Sequence, residues 1–211
     1  MRPGQPKWRR RKEARPGEIV AAALEVFAEK GFAAARLDDI AARAGVSKGA
    51  LYLYFETKQD LFEAVVRDAI SPNIAAVEAA AAAMDLPFAE AGRMLLGRAA
   101  DMMSTSAIGP VAKMVIAESR NFPDLARVWH DAVVSRVLAV ITGLVERGQA
   151  RGEIRPGDPR FHALALIGPL LMGVLWREVL VPVGAEPLDL TALARQHIET
   201  ALTGLLAEGG R

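Results

Sequence analysis

Apolar positions recur at three- and four-residue spacing along almost the whole chain, and no run of β-branched and aromatic residues alternates with period two for long enough to make a strand. The pattern predicts an all-α protein. Ile19, Ala22, Ala23, Val26 and Phe27 form the stripe of a first helix that Gly31 stops. Two short helices follow, over about 37–44 and 48–54, with Gly45 between them. Leu61, Phe62, Val65, Val66 and Ala69 open a fourth that continues to the alanines at 79–83, and a kink or break is expected where Pro72 removes the bond to the Asp68 carbonyl. Cap residues and first-turn prolines around Asp85, Gly109, Asn121, Asp158 and Asp189 start five more, at about 87–105, 110–119, 122–149, 159–181 and 189–207. The expectation is therefore about nine helices: a three-helix unit at 16–62 and a larger bundle at 63–207, with an arm at 1–15 and a frayed tail at 208–211.

The segment from Leu37 to Phe55, LDDIAARAGVSKGALYLYF, reads as a helix-turn-helix. Ile40, Ala41 and Ala44 face inward, Gly45 supplies the positive φ of the turn, Val46 fills the space between the helices, and Ser47 caps the second helix. Leu51 and Phe55, four residues apart, pin that helix to the core and leave Lys48, Gly49, Ala50, Tyr52 and Tyr54 outward. Small residues let the backbone approach base edges in a major groove, while Lys48 and the tyrosine hydroxyls reach bases or phosphates. Lys58, at the start of the fourth helix, is expected to add a phosphate contact. Arg43 is either a further phosphate contact or a solvated surface arginine, and Tyr52 either a phosphate ligand or mostly core.

From Pro16 to Val66, with GVSKGALYLYF at its centre and ETKQDLF after it, the sequence resembles the DNA-binding domain of TetR/AcrR-type bacterial transcription regulators. The remaining two-thirds resembles that family in layout alone. The resemblance implies a recognition helix on Lys48 to Tyr54, with Lys48, Gly49 and Ala50 nearest the bases and Tyr52, Tyr54 and Lys58 on phosphates. Where the family has Thr or Ser before the second helix, as its cap and a phosphate ligand, this chain has Arg36, which cannot cap in that way but binds phosphate by charge; Asp39 is expected to take over part of the stabilisation there. The resemblance further implies transcriptional regulation, dimerisation and a small-molecule sensor in the body.

Net charge changes the picture. The formal total of +1 conceals seven basic residues and one acid in positions 1–15, against 19 basic and 24 acidic in the rest. Residues 16–60 carry five basic and seven acidic side chains, so the head cannot attract DNA by bulk field and must place its cations individually. The arm is read either as a solubilising tail or as a segment that follows the DNA backbone or enters the minor groove. It lacks the apolar stretch of a secretory signal. The longest nearly apolar run, Phe161 to Trp176, is 16 residues and short of the roughly 20 that cross a bilayer, so no membrane span is expected and the cytoplasm is the expected location.

Zero cysteines exclude disulfides, thiol nucleophiles and thiolate metal sites. His130, His162 and His197 have no partner at ligand spacing, and Ser104-Thr105-Ser106 has no adjacent base, so neither a metal, nor a cofactor, nor catalysis is expected. Met102, Met103, Met114, Phe122, Trp129 and Trp176 are the candidates to line an adaptable apolar pocket, each of them equally readable as ordinary core. Glu118, His130 and Arg177 are polar groups within reach of such a pocket. The last two long helices carry apolar faces (Phe161, Leu164, Ala165, Gly168, Leu171 and Leu175; Leu190, Leu193, Ala194, His197, Ala201 and Leu205) that pairing across a two-fold axis would bury. The expected protein is a homodimeric repressor that binds a near-palindromic operator on double-stranded DNA and is released by a small apolar or amphipathic ligand. The alternative is a DNA binder or activator without a usable cavity.

Overall fold

The computed structural model describes residues 15–206; the basic arm before Arg15 and the tail at 208–211 lie outside the described residues. The head consists of α1 (Arg15–Ala34), α2 (Leu37–Arg43) and α3 (Lys48–Tyr52). The rod α4 starts at Lys58–Ala64, passes through a π turn at Val65–Ile70 and continues as Ser71–Ala82. Then come α5 (Phe88–Thr105), α6 (Ile108–Glu118), α7 (Pro123–Trp129, a π turn His130–Val134, and Ser135–Ala150), α8 (Pro159–Leu175, a π turn Trp176–Leu180 and a 3₁₀ turn Val181–Val183) and α9 (Leu190–Leu205). Among the described residues, extended pairing is confined to one bridge between Ile154 and Leu206.

The boundaries follow local chemistry. Gly31, at φ 77°, breaks the helical dihedrals of α1 where the sequence places its stop. Asp158 and Asp189 cap α8 and α9, accepting the backbone N–H groups of Arg160 and of Thr191 and Ala192 respectively. Thr57 and Asp60 form a reciprocal capping box at the start of α4. Pro72 neither breaks α4 nor leaves it regular, since the π turn directly before it absorbs the lost hydrogen bond into one continuous rod.

The apolar interior divides into two clusters, and the division does not fall at the end of the head. The first joins Phe27, Ile40, Leu51 and Phe62 of the head and α4 to Val111 and Val115 of α6 and to Leu125 and Trp129 of α7. The second fills the far body, where α5, α7, α8 and α9 contribute Leu95, Val145, Leu166 and Ile198. The 16-residue apolar run lies within a longer helix, and a second helix is as long. Pro123–Ala150 is a continuous helix of 28 residues and Pro159–Val183 one of 25, and both are long and apolar enough to cross a bilayer. Pro169 and the π turns end neither helix. Each nonetheless gives one face to the protein core, through Ile141 and Leu144 in the first and Ala163 and Leu170 in the second.

Candidate functional site

In the helix-turn-helix, the residues between α2 and α3 behave as their chemistry dictates. Gly45 adopts φ 66°, Val46 donates its backbone N–H to the Ala41 carbonyl at 3.0 Å, and Ser47 Oγ accepts the Ala50 N–H at 3.2 Å. Leu51 is fully buried and Phe55 nearly so, which fixes the roll of α3. Lys48 and Gly49 are consequently exposed, Ala50 half-buried, and Tyr52 and Tyr54 are 44% and 41% exposed, so Tyr52 is not a core residue. A Cβ at Gly49 would meet nothing within 4 Å, leaving that face of the helix open.

Lys30, Arg43 and Lys48 of the head are committed to carboxylate partners. Lys48 Nζ lies 2.8 Å from an Asp38 oxygen, and this carboxylate raises the lysine pKa. Arg43 is held by Glu29 through two contacts of 2.7 and 2.8 Å, with Glu25 3.4 Å away, and the pairing lowers the Glu29 pKa. Lys30 holds Asp39 at 2.8 Å and lowers the pKa of that carboxyl. Arg36 sits at the N-cap of α2 with extended backbone and no side-chain cap, as expected from its chemistry, and among the described residues no carboxylate lies within ion-pair distance of it. Solvent screens exposed pairs of this kind, so exchange of an acid for a phosphate costs Lys48 and Arg43 little.

Lys58 requires a correction. Its ammonium does not face outward as a phosphate ligand. It donates to the carbonyls of Phe32, Ala33 and Ala35 at 2.5, 3.1 and 3.0 Å, and lies 4.6 Å from the centre of the Phe32 ring. All three donors of the group are thereby used to close the C-terminal end of α1. Burial pushes the Lys58 pKa down, against the opposing charge of Glu118.

Glu118, at the last turn of α6, reaches the same junction from the body side. Its Oε2 accepts the Ala33 N–H at 2.8 Å, and its Oε1 lies where a Cβ on Gly31 would come within 2.8 Å. Phe32 stacks edge-on against Phe122 with ring centres 5.0 Å apart. The turn at 31–35 is thus gripped by Lys58 from α4 and by Glu118 and Phe122 from the body. Glu118 is a junction residue, not a ligand-orienting group, and His130 pairs with exposed Asp131 at 2.7 Å on the surface.

A cavity of about 310 Å³, almost wholly apolar, lies between α6, α7 and α8. Ile108, Ala112 and Ile116, four residues apart on α6, make one wall; Trp129, Val133 and Val137 face them from α7, and Ile167, Leu171 and Val174 from α8. Of the six pocket candidates, Met103 and Trp129 line this cavity and four do not. Met114 is buried in the head-side core with Met102 and Phe122 packed against it, while Trp176 lies in a shallower groove by α9 and donates its indole N–H to the Glu186 carbonyl at 2.8 Å. Beside Met103, Gly109 and Trp129 the lining is Ile, Val, Ala and Leu, residues whose spacing is visible in the sequence but identical to that of a filled core. Arg177 lies beside two of the lining residues, donating to the Met103 and Ser104 carbonyls and lying within 2.6 Å of where a Gly109 Cβ would be. No residue of α4 lines the cavity, whereas α6, which walls it, ends at Glu118 beside the head.

Residues 19–65 match the profile of bacterial regulatory proteins of the tetR family, and residues 92–193 that of the tetracyclin repressor-like C-terminal domain. The chain is 31% identical over 172 residues to the transcriptional regulator RutR of Escherichia coli, covering 73% of this chain and 70% of that protein. The chain belongs to the TetR family. As a TetR-family transcriptional regulator it is also similar to the transcriptional activator FasR of Mycolicibacterium smegmatis, 41% identical over 69 residues, a match that spans 33% of this chain and 32% of FasR. The fold is that of the Bacillus subtilis regulator FadR, crystallised in complex with stearoyl-CoA, with a TM-score of 0.74, 24% identity, and coverage of 89% of this chain and 98% of that one.

Proposed function

We propose that this TetR-family regulator is a cytoplasmic, homodimeric repressor that binds a near-palindromic operator through α3 and is released by an elongated apolar or amphipathic effector held between α6, α7 and α8. One observation carries the reading: the helix that walls the apolar cavity ends in the side chain that grips the head, through Glu118 Oε2 and the Ala33 N–H. In the proposed complex Gly49 and Ala50 face bases, Lys48 lies beside them with its ammonium on a flanking phosphate, and Arg36, Arg43, Ser47, Tyr52 and Tyr54 meet further phosphates. The cavity volume is at the lower end of small-molecule pockets and about twice that of a cavity that accepts benzene. With no charge inside it, the cavity suits a hydrocarbon chain whose polar end leaves past Arg177. The stearoyl-CoA complex of FadR supports a ligand of that kind.

Dimerisation is supported by the apolar side chains that α8 leaves exposed, Phe161, Leu164 and Met172. The partner face on α9 is narrower than its sequence suggests. Leu190, Ala194 and Leu205 are buried within the protomer and unavailable to a partner, and Leu193 remains beside Gly168 and Met172 in a groove between the two helices. Thermal melting with fatty acids and acyl thioesters of increasing chain length tests the effector. The melting temperature is expected to rise with an intermediate-length or longer chain and not with the free headgroup; absence of any shift across the series contradicts an effector of this class. The likeness to FasR favours activation as the second reading, and a reporter with the operator overlapping or upstream of the promoter separates the two.

A further inference from the structure

Leu53 is 82% exposed, the most exposed large apolar side chain among the described residues, and it occupies the outer surface of the recognition helix. The register leaves it no other direction. Leu51 and Phe55 both point into the core, and at 3.6 residues per turn a side chain two positions from each lies on the opposite face. Gly49, four residues earlier, shares that face and adds nothing that would screen Leu53. Leu53 itself still has helical dihedrals at the C-cap, and the N–H groups of Tyr54 and Phe55 both bond the Leu51 carbonyl, so the side chain is presented by a closed turn.

We infer that Leu53 is a specificity-determining residue that reads the 5-methyl group of a thymine in the major groove. This inference rests on the proposed DNA-binding role of α3. An isobutyl group neither donates nor accepts hydrogen bonds, so against guanine, adenine or cytosine it covers polar edge atoms without pairing them. The thymine methyl is the one apolar group on the major-groove edges of the four bases. The neighbours reinforce the choice, because Gly49 and Ala50 present carbon and backbone, and the nearest cation, Lys48, is held to one side by Asp38. The base-reading stripe Gly49–Leu53 is therefore apolar, and its discrimination comes from shape and methyl contact.

The experiment begins with selection of the operator from random duplex DNA by the full-length protein, followed by replacement of each thymine in the half-site by deoxyuridine, which removes the methyl and keeps base pairing. At one or more positions the wild-type protein is expected to lose about fourfold in affinity, the value of one buried carbon. Leu53→Ala is expected to bind the parent operator more weakly and to show less than a twofold response to the same replacement, with an unchanged melting temperature and unchanged binding to unrelated DNA. The inference is overturned if the wild-type protein is indifferent to every replacement, or if Leu53→Ala keeps the full response. A selection that enriches no sequence overturns the DNA-binding reading itself, a result distinct from methyl indifference.

Discussion

Side chains of the head divide by whether their role is set locally or across the chain. Gly45, Val46 and Ser47 act within a few residues of themselves, and their roles are legible in the sequence and observed in the structure. Lys58 is the opposite case. Its three acceptors lie 23 to 26 residues away, at a helix end whose position relative to α4 no periodicity reveals. The two lysines should therefore separate in one experiment. Lys48→Ala is expected to reduce the slope of log affinity against log salt by about one phosphate contact while leaving the fold intact. Lys58→Met is expected to leave that slope unchanged and to cost about 1–3 kcal/mol of stability, because three carbonyls at a partly buried helix end lose their donor. Equal salt slopes for the wild type and Lys48→Ala, or a reduced slope in a folded Lys58→Met, would reverse these assignments.

Among the elements, helix count, order and most termini follow from apolar spacing and caps, whereas the departures from regular α-helix do not. Three π turns interrupt α4, α7 and α8, and those of α7 and α8 adjoin the cavity: Val133 and Val134 line it from within a π turn, and Val174 lies just before another. The sequence marks one of the three, through Pro72, and gives no cue for the others. Coupling is likewise an element property. A lever along α4 is the natural expectation for a helix joining head to body, yet α4 contributes nothing to the cavity wall, and α6 touches both cavity and head. Glu118→Ala removes the polar part of that grip. Its operator affinity is expected to stay within about fivefold of wild type, while the ratio of affinities with and without effector falls towards one. A Glu118→Ala protein with the full effector response would transfer the coupling to the Phe32–Phe122 contact or to α4.

At the scale of the whole molecule, the first apolar cluster crosses from head into body, so the two sequence units share one core. The first apolar cluster spans α1 to α7, so a change in the spacing of α6 and α7 cannot be confined to the body. In the proposed dimer the apolar surface left on α8 forms the interface. Leu164→Glu combined with Met172→Glu, both at exposed positions, is expected to give a folded monomer by light scattering and to lower operator affinity by about 10²-fold or more, since the second half-site no longer binds intramolecularly. A dimer that persists in the double variant would move the interface elsewhere. The central claim, that the apolar cavity controls the DNA-binding head, is tested most directly by operator affinity measured with and without a saturating acyl effector, for the wild type and for Ala112→Phe, which fills the cavity from its α6 wall. The account predicts a 5–150-fold loss of affinity on effector binding in the wild type, and an operator affinity in Ala112→Phe close to that of the effector-free wild type and unresponsive to effector. Equal responses in the two proteins would contradict it.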